Sequence, residues 1–253
     1  MKKAIIIGAS SGLGREISKQ LLAEGWSVGV AARRTEKLEE IRQMAPERVM
    51  LETINVNSKE ATAHLNRLIE RMGGMNLYMH ASGIGRQNAE LKEETEMQTV
   101  ETNGMGFTRM VGEAFRYMAE QGGGHIAVIS SVAGTKGIGI TPSYSATKAF
   151  QSTYIQALEQ LSISRGLNIS FTDIRPGFVD TDILDKTQRH AMLMKTEDVA
   201  RSIVRAIRQQ KHVCIIDWRW RMVVAVWRSI PRWVWRRMKV KTKPKKGWDN
   251  TQS

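Results

Sequence analysis

Short apolar runs alternate along this chain with longer stretches whose apolar residues recur every three or four positions. The runs are Ala4–Ile7, Val28–Ala32, Val49–Val56, Leu77–His80, Ile126–Ser130, Ile169–Ile174 and Val213–Ile216. Their length suits strands, and their mostly unbroken apolar character predicts burial on both faces. Between them, Ile17, Leu21 and Leu22 fall at helical spacing after a glycine turn. Further helices are expected over Thr35–Met44, from a Ser58 cap to about Arg71, within Glu93–Glu120, from Tyr144 to about Arg165, and from a Thr196 cap followed by Glu197 and Asp198. Strands alternating with helices predict an α/β fold: a doubly wound, parallel, seven-stranded sheet in a single domain.

Composition narrows this only slightly. With 253 residues, 42% of them hydrophobic, the chain can bury a full core. Its one cysteine, Cys214, permits no intramolecular disulfide and suits a reducing compartment, so a cytoplasmic location is expected. Lys2 and Lys3 before Ala4–Ile7 mimic a secretion signal, but the apolar run is too short and leads straight into glycines. No apolar stretch approaches the roughly 18 residues needed to span a bilayer.

Charge changes the picture at one end. The formal net charge is +13, yet residues 213–253 hold eleven Lys/Arg against Asp217 and Asp249. Six of the seven tryptophans, at 218, 220, 227, 233, 235 and 248, interleave there with arginines, and Lys239–Lys246 adds five lysines. Pro231 is expected to divide this part into two short helices. The organisation read from these features is a catalytic domain over 1–217 and a basic, Trp/Arg-rich helical extension over 218–253. Tryptophan with arginine suits an anionic membrane surface, giving a peripheral location at an inner membrane face. Packing on the domain or on a partner subunit is the competing reading. Nucleic acid ranks last.

Three constellations carry chemistry. Gly8, Gly12 and Gly14, with Ser10, Ser11 and Leu13 among them, lie between the first strand and a helix. That context fits a pyrophosphate on a helix N-terminus. The second strand ends in Arg33-Arg34 with no acid before Glu36, which favours a ribose 2′-phosphate over a 2′-hydroxyl. Tyr144 and Lys148 lie four residues apart on one helical face. A cation beside a phenol lowers its pKa, making the pair an acid/base unit for an alcohol oxygen.

These residues resemble the short-chain dehydrogenase/reductase family, of the compact Rossmann-type kind, over about residues 3–217. Gly8–Gly14 is similar to its glycine motif, and Asn103 falls at its helix asparagine. Ser131, thirteen residues before Tyr144, matches the usual separation, and Tyr144 and Lys148 match its catalytic pair. Pro176, Gly177, Val179 and Thr181 correspond to the segment that closes over the nicotinamide. Ala81, Ser82 and Gly83 follow the fourth strand, where His80 departs from the family pattern. Asn55, beside Val56, stands where an adenine-holding Asp is common; its amide oxygen can still accept a bond, so weakened but retained adenine recognition is expected. The resemblance implies NADP(H) as cofactor, Tyr144 as proton donor, Lys148 as its activator and ribose contact, Ser131 as a substrate hydrogen bond, and Asn103 as the holder of a water. It also implies a dimer or tetramer.

The expected lid, Thr181–Lys195, carries Ile183, Leu184, Met192, Leu193 and Met194; with Ile138, Ile140 and Phe178 these suggest an apolar substrate. The resulting expectation is an NADP-dependent oxidoreductase acting on a lipophilic carbonyl/alcohol pair, such as a 3-oxoacyl, keto-sphingoid or steroid-like compound. An epimerase or dehydratase and a non-catalytic cofactor sensor or scaffold are the alternatives.

Overall fold

The computed structural model describes residues 1–184 and 190–239. Seven strands, β1 (Lys3–Ile7), β2 (Ser27–Ala32), β3 (Val49–Thr53), β4 (Leu77–His80), β5 (Gly124–Ile129), β6 (Ile169–Arg175) and β7 (Val213–Ile215), form one sheet in the order 3-2-1-4-5-6-7. Every pairing is parallel. The helices are α1 (Gly12–Ala23), α2 (Thr35–Arg42), α3 (Ala61–Met72), α4 (Glu93–Val100), α5 (Phe107–Glu120), α6 (Pro142–Ser164), α7 (Thr196–Arg208), α8 (Trp218–Ser229) and α9 (Arg232–Trp235).

Successive strand residues point to opposite faces, so the sheet divides its side chains between two cores. Ile6, Val28 and Val30 pack with Ile17, Leu38, Ile203 and Ile207 of α1, α2 and α7. Ile5, Ile7 and Tyr78 pack with Leu65, Phe107, Val111 and Ile155 of α3, α5 and α6. This double cover explains the unbroken apolar runs. The chain reverses its direction of winding between β1 and β4, and the crevice beyond their C-terminal ends is where such sheets bind ligands.

Local chemistry shifts several predicted boundaries. The third strand stops at Thr53 because Asn55 turns the chain, its Oδ1 accepting from the Asn57 backbone N–H at 3.2 Å. Ser58 does not cap α3. Its hydroxyl serves the Glu60 backbone N–H, and the helix starts at Ala61. Nor does Thr196 cap α7: its hydroxyl donates to the Asp180 carbonyl, which ties the helix start to the segment after β6. Between α4 and α5 the helix loosens into a π-helical turn, Glu101–Gly106, of the kind that frequently marks functional sites.

The C-terminal extension divides at Pro231 into α8 and α9. Asp217 caps α8, accepting from the Arg219 backbone N–H at 2.8 Å. Trp220 and Val224 are buried within the core on the α1/α7 face. The 217/218 boundary therefore separates no second core. Trp248 and the lysines beyond 240 lie outside the described residues.

Candidate active site

The first turn of α1 faces the crevice. Gly8, at φ +91°, hydrogen-bonds the Ala31 carbonyl at 2.7 Å, and a Cβ there would lie 2.6 Å from the Ser82 nitrogen. At Gly14 a Cβ would come within 2.3 Å of the Gly8 oxygen. Both positions therefore demand glycine. No side chain caps α1, which leaves its leading N–H groups and partial positive charge directed at the cavity.

One cavity gathers Gly8, Ser10–Gly14, Arg33, Arg34, Asn55, Val56, Ala81–Gly83, Ser131, Tyr144, Lys148, Pro176, Gly177, Val179 and Thr181. At one end, Arg34 Nη2 donates to Ser10 Oγ at 3.2 Å and to Ser11 Oγ at 2.8 Å. Among the described residues that line the cavity, Asp182 is the one carboxylate. The amide oxygen of Asn55, expected to read adenine, is already engaged by its own turn.

At the other end, Ser131 leads a 3-10 turn (Val132–Thr135), and its Oγ accepts from the Ala133 N–H at 3.1 Å. It shares a hydrogen bond with the Tyr144 phenol, which pulls that pKa down; burial is the larger influence and raises it above the ordinary value. Lys148 Nζ sits 5.7 Å from the Tyr144 ring centroid. The expectation that Lys148 lowers the phenol pKa thus meets a site where desolvation outweighs any such effect. Burial also brings the Lys148 ammonium down to about 8, against an upward pull from Asp173. The ammonium donates to the Ile129 carbonyl and to Gln151 Oε1, both at 2.9 Å.

Asn103 lies in the π-helical turn, fully buried, and does not line the cavity itself. Its side chain closes a pair of bonds with Ile84, accepting from the N–H at 2.9 Å and donating to the carbonyl at 2.7 Å. Its carbonyl accepts from Gln151 Nε2 at 2.9 Å. Gln151 therefore bridges Asn103 to Lys148. It escaped the sequence reading, although its position three residues after Lys148 places it on the same helical face. Asp173 was also missed; it is held by Ser130 and by an ion pair with Arg175 at 2.6 Å. His80, bonded through Nδ1 to the Tyr78 hydroxyl at 2.9 Å, is buried and driven to about 3, chiefly by desolvation and then by Lys148.

The predicted substrate lining divides. Ile183 and Leu184 line the cavity, whereas Met194 is buried in the core and Met192 packs against it. Phe178 lies against Trp220 and His190. Ile138 and Ile140 line a second cavity, beside α9. Residues 185–189 of the expected lid lie outside the described residues.

A glycine cradle, an open helix start and a Ser–Tyr–Lys cluster thus share one crevice of a doubly wound sheet. The sequence profile of short chain dehydrogenases matches residues 2–191. The chain belongs to the short-chain dehydrogenase/reductase family. It is 30% identical over 219 residues to an uncharacterized oxidoreductase of Staphylococcus aureus strain USA300, covering 84% of this chain and 93% of that protein. It is 29% identical over 236 residues to a glycine betaine reductase of Emericella nidulans, covering 85% of this chain but only 18% of that longer protein. A solved short-chain dehydrogenase of Streptomyces avermitilis superposes with a TM-score of 0.78 at 22% identity, over 89% of this chain and 92% of that one. Members of the family are oxidoreductases that use a nicotinamide cofactor, NAD or NADP. No helix among the described residues is long and apolar enough to cross a membrane.

Proposed function

We propose that this protein reduces a lipophilic carbonyl compound with NADPH. The observation that carries the reading is the convergence of Ser131, Tyr144 and Lys148 in the cavity that also holds the glycine cradle. The cradle fits a dinucleotide: the glycines let the turn fold tightly against Ala81-Ser82, and the uncapped α1 supplies N–H donors to a pyrophosphate. When bound, the cofactor supplies the hydride that goes to the carbonyl carbon.

The chain's own residues handle the oxygen. Tyr144 Oη donates its proton there. With its pKa above the ordinary value, the phenol holds its proton at neutral pH and so can act as the donor. Ser131 Oγ donates a hydrogen bond to the same oxygen and stabilises its developing charge. Lys148, joined through Gln151 to the buried Asn103, holds the ribose and provides the return path for a proton. Arg33 and Arg34 take the 2′-phosphate. Because Ser10 and Ser11 accept from Arg34, their own hydroxyl hydrogens stay free to donate to it. Ile183 and Leu184 support an apolar substrate.

The test follows NADPH absorbance with the purified protein and a panel of 3-oxoacyl thioesters, keto-sphingoid bases and ketosteroids, beside a small hydrophilic ketone. Faster NADPH loss with one lipophilic class is expected. Absence of turnover with every class, despite measurable cofactor binding, would replace this reading with a cofactor-sensing one.

A further inference from the structure

The described tryptophans of the extension fall into two sets. Trp220 is buried, and Trp227 and Trp235 pack edge to face, with ring centroids 5.6 Å apart. Trp235 also donates its indole N–H to the Gly137 carbonyl at 2.7 Å, and Lys136 donates to the Ile230 carbonyl at 3.0 Å. These residues clamp the extension onto the segment between Ser131 and Tyr144. The second set faces outward: Trp218 is 67% exposed and Trp233 65%. Met222 and Val226, also exposed, follow Trp218 at four-residue steps along one face of α8.

Around these apolar residues stand Arg221, Arg228, Arg232 and Arg236, all exposed. Among the described residues, none of the four makes a close ion pair, although Arg221 lies within the field of Asp217, which is itself paired with Arg219. Between α9 and residues 134–149 lies an open groove of about 990 Å³, with an apolar wall that includes Ile138, Ile140 and Met238, and with Arg232, Arg236 and Lys239 at its edge. Among the described residues, no Asp or Glu lines it.

A surface with outward tryptophans, arginines without close ion pairs and a groove lined by apolar and cationic residues suits acyl chains below anionic headgroups. We propose that α8 and α9 dock this protein on an anionic bilayer, with Trp218 and Trp233 at headgroup depth and the α9 groove receiving part of a lipid. A second copy would need acids opposite these arginines. Nucleic acid would use the arginines but leave the Trp218–Met222–Val226 stripe and the groove without a role. Docking rests on the extension and the neighbouring residues 134–149, not on the cofactor cavity, and stands whether or not the proposed reduction is correct.

The test is sedimentation of the full chain with vesicles of phosphatidylglycerol and phosphatidylcholine, against vesicles of phosphatidylcholine alone. Pelleting with the anionic vesicles at low salt, little with the neutral ones, and a blue shift of tryptophan emission are expected. At about 1 M salt, where the Debye length is about 3 Å, part of the binding should persist through the inserted rings. Trp218→Ser with Trp233→Ser should weaken partitioning by about tenfold or more, and so should Arg232→Glu with Arg236→Glu. All four side chains are exposed, and an unchanged circular dichroism melt would confirm that the fold is intact. No pelleting at low salt overturns the proposal. So does equal pelleting of the parent and both variants, or a tryptophan variant that shrinks to a smaller oligomer by light scattering, which would assign the face to a second copy.

Discussion

Trp220 stands where a side chain on Gly177 would have to go: a Cβ built on Gly177 would lie 2.1 Å from Cε2 of the indole. Gly177 lines the candidate site and Trp220 comes from the C-terminal extension, so the extension forms the floor beneath the segment after β6. Phe178 adds a second contact, its ring 5.5 Å from the indole at 74°.

This pairing should be visible as coupling. Trp220→Ala removes a buried aromatic and is expected to cost about 3–5 kcal/mol of stability. Gly177→Ala should cost about 1–3 kcal/mol through overpacking in the parent protein, but far less where Trp220 is already alanine. Urea denaturation of the four proteins measures this. Additive costs would mean that the two residues do not share the space.

Tyr144→Phe should lower turnover by about 10²–10⁴-fold, the usual contribution of a positioned acid. Cofactor affinity should hold, because the ring and its packing remain. Near-parental turnover on a confirmed substrate would remove Tyr144 from the role of proton donor.

Lys148 makes a prediction about stability as well as activity. Its folded pKa of about 8 lies below the ordinary 10.5. Below pH 8 both folded and unfolded chains hold the proton, and the cost of burying the charge is fully present. Between about 8 and 10.5 the unfolded chain binds the proton that the folded one has released, so this residue makes stability rise with pH, by on the order of 3 kcal/mol at most. Lys148→Met should abolish that rise, while turnover collapses. Denaturation midpoints from pH 7 to 10 check the first claim; a parental rise that survives in the variant would refute it.

Cofactor preference should follow Arg33 and Arg34. A charge-assisted contact of about 1.5–3 kcal/mol to the 2′-phosphate predicts roughly ten- to a hundredfold tighter binding of NADPH than NADH. Replacing both arginines by alanine should erase most of the difference. Fluorescence titration that finds equal affinities in the parent would show that the pair serves another end.

Much of this was legible in the sequence because it was local. The strands announced themselves as apolar runs, and the glycine loop and Tyr144/Lys148 each occupy fewer than ten residues. What stayed hidden depends on distant parts of the chain. Asp173 and Trp220 matter through neighbours that only the sheet order brings near. Ser58 and Thr196 have good capping chemistry, yet their hydroxyls found other partners. Ile138 and Ile140 looked like substrate contacts by their nearness to Tyr144. Residues 142, 145, 146 and 149 of α6, however, line the α9 groove, while Tyr144 and Lys148 line the other cavity.

The packing of α1 against α7 has a consequence for synthesis. Ile17 and Leu21 leave the ribosome early, but Val199, Ile203 and Trp220, which share their core, follow roughly 180 residues later. At about 5–20 residues per second, that apolar face waits about 10–40 s for its cover. Until then the nascent chain presents a bare flank to the cell's chaperones, and a ribosome that stalls anywhere before α7 releases a product whose first-made helix lacks its main helical partner.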